Sequence, residues 1–135
     1  MAELSPSVMS HVSLGTNDPA TAKVFYDAVL ATLQIQCLYA WEGGAGYGRQ
    51  FTEFWIQKPH DGKEAGTGNG VHVAFLANSI AEVKAFHAKA LALGGKDDGA
   101  PGRRPDYGPK YYAAFVRDLD GNKIEAMLEV EPGKE

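Results

Sequence analysis

Apolar and polar positions alternate loosely from Val8 to Thr16, which predicts a strand ending at Asn17-Asp18-Pro19. Asp18 suits a helix cap and Pro19 the first turn, where a missing N–H costs nothing. Val24, Phe25, Ala28, Val29 and Leu33 recur at the spacing of one apolar helix face, so a helix is expected to about Leu33. Ile35 to Trp41 and Phe51 to Gln57 read as strands, joined by a glycine-rich turn at Gly43, Gly44, Gly46 and Gly48. The polar stretch from Lys58 to Gly70 is the expected joint in the chain.

Beyond the joint the order recurs. Val71 to Ala77 is strand-like, and Ser79-Ile-Ala-Glu82 is a capping box opening a second helix. Its apolar face is Val83, Phe86, Ala90 and Leu93, and Gly94-Gly95 stops it. Lys96 to Lys110, with Pro101, Pro105 and Pro109, reads as loop with at most one short strand. Tyr111 to Arg117 and Lys123 to Val130 form the arms of a hairpin about Asp120-Gly121. Each half is thus βα followed by two or three strands, an α+β class. A half of about 65 residues would be marginal alone. One domain over residues 1–135 is therefore expected, with modules at about 8–58 and 70–130 meeting around one pocket and a joint at 59–69.

The repeat is also one of residues. At an offset of 61, His11-Val12 matches His72-Val73, and Asn17, Ala20, Lys23, Phe25, Leu30 and Ala31 all find identical partners. That makes 8 identities in 22 positions, and each half has a glutamate further along: Glu53 and Glu125. Two imidazoles and two carboxylates from equivalent halves are what a pseudo-symmetric divalent-metal site would need. By strand alternation Glu53 shares a face with Phe51 and Trp55, and Glu125 with Met127. A carboxylate among such neighbours is costly unless it is paired or binds a cation. Ser13 and Ala74, two after each histidine, leave space beside them.

Composition narrows the partners. With 44% hydrophobic and 22% charged residues the chain is neither a disordered segment nor a disulfide scaffold. A formal net charge of −4 argues against nucleic acid, which needs concentrated Lys and Arg. No apolar run reaches the roughly 18 residues of a membrane span. Met1-Ala-Glu-Leu-Ser-Pro6 carries no secretory pattern, and Cys37 is alone, so a reducing cytoplasm is expected. Asp118-x-Asp120-x-Asn122 with Glu129 resembles a calcium loop, but Lys123 stands where that loop needs glycine and strand patterns flank it. The glycine run lacks the Lys-Ser/Thr of a phosphate loop.

His11-Val-Ser-Leu with Asp18-Pro and Phe25-Tyr26, Gly70-Val-His-Val-Ala-Phe75, and Asp118-Leu-Asp-Gly-Asn-Lys-Ile-Glu125 together resemble the vicinal oxygen chelate superfamily. That superfamily comprises glyoxalase, bleomycin resistance and dioxygenase proteins. The resemblance covers nearly the whole chain. It implies paired βαβββ modules whose sheets curl around a pocket holding a divalent metal. His11, Glu53, His72 and Glu125 match the ligand positions of the bacterial glyoxalase I type, with Glu125 or Glu53 as the proton-transferring base. Nickel, cobalt, zinc, manganese and iron all suit such donors.

Gly15 and Gly68 stand where that enzyme has basic residues for glutathione, so the resemblance implies a lyase or isomerase acting on another small oxygen-chelating substrate. Tyr47, Trp55, Tyr107, Tyr111 and Tyr112 are the candidate pocket lining. A homodimer is implied, with ligands drawn from one chain or from two. Metal-independent binding of a small molecule is the alternative. Oxidative ring cleavage is disfavoured by the second glutamate.

Overall fold

Each helix starts where the sequence supplies a cap. In the computed structural model, which describes residues 5–135, Asp18 Oδ1 accepts from Thr21 N at 3.1 Å and opens α1 (Pro19–Ala31). Ser79 Oγ accepts from Glu82 N at 3.1 Å and opens α2 (Ile80–Ala92), while Glu82 Oε1 accepts from Asn78 N at 2.8 Å. The remaining elements are strands: β1 (Val12–Gly15), β2 (Gln36–Trp41), β3 (Gly44–Gly48), β4 (Phe54–Gln57), β5 (His72–Leu76), β6 (Lys96–Arg103), β7 (Tyr111–Arg117) and β8 (Lys123–Glu129). Part of the N-terminal segment read for a leader, residues 1–4, lies outside the described residues. Among the described residues no helix is long and apolar enough to cross a membrane.

Each module is a βαβββ unit with its own four-stranded mixed sheet, ordered β1-β4-β3-β2 and β5-β8-β7-β6. The first strand of each lies parallel to the last, and the other pairs are antiparallel. Strand alternation divides every sheet into two faces. One face is core: Leu14, Ala45, Tyr47, Phe54 and Ile56 pack with Phe25, Val29 and Leu30 of α1, and Ala114, Val116, Ile124 and Ala126 with Val83 and Phe86 of α2. Phe54 and Phe75 meet edge-to-face with centroids 5.0 Å apart, so the two cores are continuous.

Two segments differ from the sequence expectation. Gly44, Gly46 and Gly48 belong to the inner strand β3, and only Gly43 lies in the turn before it. A Cβ at Gly44 would come within 2.4 Å of Ile56 O, and one at Gly48 within 1.8 Å of Phe51 O. Glycine here permits close backbone approach within a sheet, where it usually signals a break. Lys96–Arg103 is an eight-residue strand rather than loop. Its register shifts between Asp97 and Gly99 and between Gly99 and Gly102, and these bulges on an edge strand accommodate Pro101.

The turn before β8 ties the modules together. Buried Asp118 accepts from Tyr26 Oη of α1 at 2.5 Å, from Asn122 N at 2.8 Å and from Asp120 N at 2.9 Å. Asn122 Nδ2 donates to Asp118 Oδ2 and to Gly15 O of the first module, both at 3.0 Å. Burial pushes the Asp118 carboxyl above its usual range, against the opposing pull of the Tyr26 and Asn122 donors. The calcium-like pattern is thus a structural turn whose carboxylate is occupied by protein donors. Replacing Asp118 with Ala strands these donors and is expected to lower unfolding free energy in urea by about 3 kcal/mol. An unchanged urea midpoint would show that the bridge does not hold the modules.

Candidate functional site

Aligning the two ladders on their first strands defines the site. In the first sheet, one line of neighbours runs Ser13–Trp55–Gly46–Tyr39 across β1, β4, β3 and β2. The equivalent line in the second runs Ala74–Glu125–Phe115–Gly99 across β5, β8, β7 and β6. Ser13 and Ala74 are partners in the sequence repeat, so the counterpart of Glu125 is Trp55. Glu53 lies two positions earlier, next to His11 and one step before the registered pair Val12–Phe54. Its counterpart is Lys123, which pairs with His72. The two glutamates therefore occupy different places in their modules.

Glu125 is the most deeply buried of the four candidate donors, at 1% exposure. His72, with a side chain 46% exposed, brings Nε2 to 3.1 Å from Glu125 Oε1. Tyr111 Oη donates to the other oxygen, Oε2. Burial, and then the Glu125 hydrogen bond, push the Tyr111 phenol above its ordinary range, so it remains a donor. Arg104 and Lys123 lie over the Phe115 ring, 5.3 and 5.0 Å from its centroid. The surroundings of the His72–Glu125 pair are thus cationic and aromatic.

His11 and Glu53 are exposed and line, with His72, a cavity of about 380 Å³ between the modules. Ser10 Oγ lies 3.0 Å from His11 Nδ1. Among the described residues, no three His, Cys, Asp or Glu side chains come close enough to hold one ion. The structure thus joins His72 to Glu125 and seats His11 beside Glu53, without gathering the four.

The aromatic candidates separate. Trp55 lines a second cavity, of about 710 Å³, over the outer face of the first sheet with His11, Ser13, Tyr39, Trp41 and Gln57. Tyr111 touches Glu125, and exposed Tyr107 packs on it with centroids 5.4 Å apart. Tyr47 lines the cavity of about 380 Å³ while its buried ring belongs to the core, and Tyr112 is core. Tyr47 Oη donates to Asp27 Oδ1 at 2.8 Å, and Tyr112 occupies the opposite face of β7 from Tyr111. Tyr39, Trp41 and Gln57 belong to no motif. The available signal is that Tyr39 and Trp41 are two apart in a strand and so share a face.

A family model described as "Glyoxalase/Bleomycin resistance protein/Dioxygenase superfamily" matches residues 8–126. A glyoxalase/bleomycin resistance protein from Albidiferax ferrireducens T118 is similar, with 41% identity and a TM-score of 0.81 over 90% of this chain and 98% of that one. A lactoylglutathione lyase from Agrobacterium tumefaciens shares the fold at 21% identity and TM-score 0.62, covering 93% and 95% of the two chains. So does a glyoxalase/bleomycin resistance protein/dioxygenase family enzyme from Burkholderia phytofirmans PsJN, at 17% identity and 0.67, covering 87% and 95%. Comparison with curated proteins gives no match.

Tyr111→Phe removes the donor to the buried Glu125 Oε2. Urea unfolding should show a loss of about 1–2 kcal/mol with an unchanged slope. No loss would mean that the phenol adds nothing to holding this carboxylate.

Proposed function

Because the chain belongs to the glyoxalase/bleomycin resistance protein/dioxygenase superfamily, we propose that it is a metal-dependent lyase or isomerase acting on a small oxygen-chelating molecule. The observation that carries this reading is the His72–Glu125 pair, an exposed imidazole 3.1 Å from a carboxylate on the neighbouring strand. Both are competent donors for one divalent ion. His11 and Glu53, adjacent in the first module, form the second pair. Among the described residues, no three such donors of one copy gather at a single point. The proposed centre therefore lies between two copies in a homodimer, His72 and Glu125 from one facing His11 and Glu53 from the other.

A bound nickel, cobalt, zinc, manganese or iron(II) ion supplies Lewis acidity toward a substrate oxygen. The chain's own residues do the rest. Glu125 carries the proton, because its carboxylate is fixed at Oε2 by Tyr111 and faces the exposed His72 at Oε1. Glu53 is the second carboxylate within the same set. The substrate is not the glutathione hemithioacetal, since Gly15 and Gly68 provide no cation for its carboxylates. Cys37 is a free thiol, in keeping with work in a reducing cytoplasm.

A second reading, metal-independent binding of a small organic molecule, is favoured by Trp55 at the counterpart of Glu125 and by the two hydrogen bonds that already engage Glu125. Metal analysis of protein purified without chelator or metal-affinity tag separates the two. About one ion per chain, with a thermal midpoint lowered by EDTA, is expected; metal-free protein indifferent to EDTA supports the second reading. Glu125→Gln should keep the fold and abolish turnover in a screen of α-ketoaldehyde–thiol adducts and vicinal oxygen compounds. Retained turnover would remove Glu125 as the base.

A further inference from the structure

The first module carries rings where the second carries its carboxylate. Gly46 lies between Trp55 and Tyr39 in the sheet, and a Cβ there would come within 2.5 Å of the Trp55 ring. The Trp55 ring therefore occupies space that a side chain at Gly46 would fill. Gly43, in the turn after Trp41, leaves space in a similar way: a Cβ there would come within 2.7 Å of Trp41 Nε1. Trp41, Trp55 and Tyr39 stand with centroids 5.8–6.1 Å apart, and Tyr39 and Trp41 remain 58% and 43% exposed. Among the described residues, none lining their cavity of about 710 Å³ is Asp, Glu, Lys or Arg.

We infer that this face is a binding site for an uncharged planar aromatic ring, stacked on one indole of the inclined Trp41–Trp55 pair and meeting the other edge-to-face, with polar groups of Gln57, Ser13 and His11 at its rim. The lining decides the class. An anionic group is best held by Lys or Arg, and the described wall carries neither. A quaternary ammonium needs rings spread around it, whereas these three pack against one another. A flat exposed indole matches a flat ring, because offset stacking is favoured between such faces. The inference rests on the proposed function only in taking a small organic molecule as ligand, and it names that molecule's apolar part.

The chain's two tryptophans both line this cavity, so its indole N–H resonances report on it alone. Chelator-treated protein is titrated with 2-naphthol, cyclohexanol and tetramethylammonium while both indole signals are followed by NMR. Saturable shifts with 2-naphthol alone are expected. In Trp55→Leu or Gly46→Val, if circular dichroism is unchanged, affinity for 2-naphthol should fall about tenfold. Absent shifts, equal response to cyclohexanol or tetramethylammonium, or unaltered affinity in both folded variants would overturn the proposal. So would indole signals that respond only to protein concentration, which would make a second copy the occupant. Since metal is removed beforehand, failure of the metal centre leaves this result standing, and the reverse also holds.

Discussion

The arrangement of this molecule depends on one buried carboxylate. Asp118 collects donors from its own turn and from Tyr26 of the first module, and Asn122 carries the link on to Gly15. An isolated carboxylate at that depth would be costly to ionise, yet here Tyr26 Oη, Asp120 N and Asn122 N and Nδ2 all donate to it. The cost and the geometry come together, because only one mutual position of the modules satisfies Tyr26, Asn122 and the turn at once. Continuity of the core through Phe54 and Phe75 adds apolar area but little direction. The directional bonds are what set one sheet face relative to the other.

Given that frame, the internal repeat does not produce symmetry of function. Each sheet offers an equivalent outer line, and the two have diverged: Ser13, Trp55, Gly46 and Tyr39 in one, Ala74, Glu125, Phe115 and Gly99 in the other. One line is aromatic over glycine. The other holds a hydrogen-bonded carboxylate with a histidine and a tyrosine about it. A substrate with a ring at one end and oxygens at the other would match the pair of faces, and neither face supplies both needs alone.

Much of the fold was readable from local chemistry. Asp18, Pro19 and the Ser79–Glu82 box mark helix starts because capping is a matter of a few adjacent residues. The strand Tyr111–Arg117 was legible because its residues are bulky and apolar. Strand β3 was not, since glycine signals a turn locally and only Trp55 and the Ile56 carbonyl across the ladder make it necessary. Strand β6 was hidden for a similar reason: its pairing to β7 passes through bulges that disrupt alternation.

The site shows the same division. His72 and Glu125 could be found from motif and repeat, and they do meet. The mismatch of Glu53 with Glu125 could not, because it is set by ladder register, which is decided by packing between distant strands. Tyr112 looks like a pocket residue by type, yet parity along its strand turns its ring into the core, whereas Tyr47, also buried, lines the cavity beside His11 and Glu53.

The central claim is that the two unlike faces work together across two copies of the chain. Subunit complementation tests it most directly. His11→Ala and Glu125→Gln chains, each expected to lose bound metal, are mixed, allowed to exchange, and the metal content of the mixture is measured. A shared centre predicts recovery, because each mixed dimer regains one site with intact His11 from one chain and intact Glu125 from the other. No recovery despite demonstrated exchange would contradict it, for a site confined to one chain is damaged in every copy.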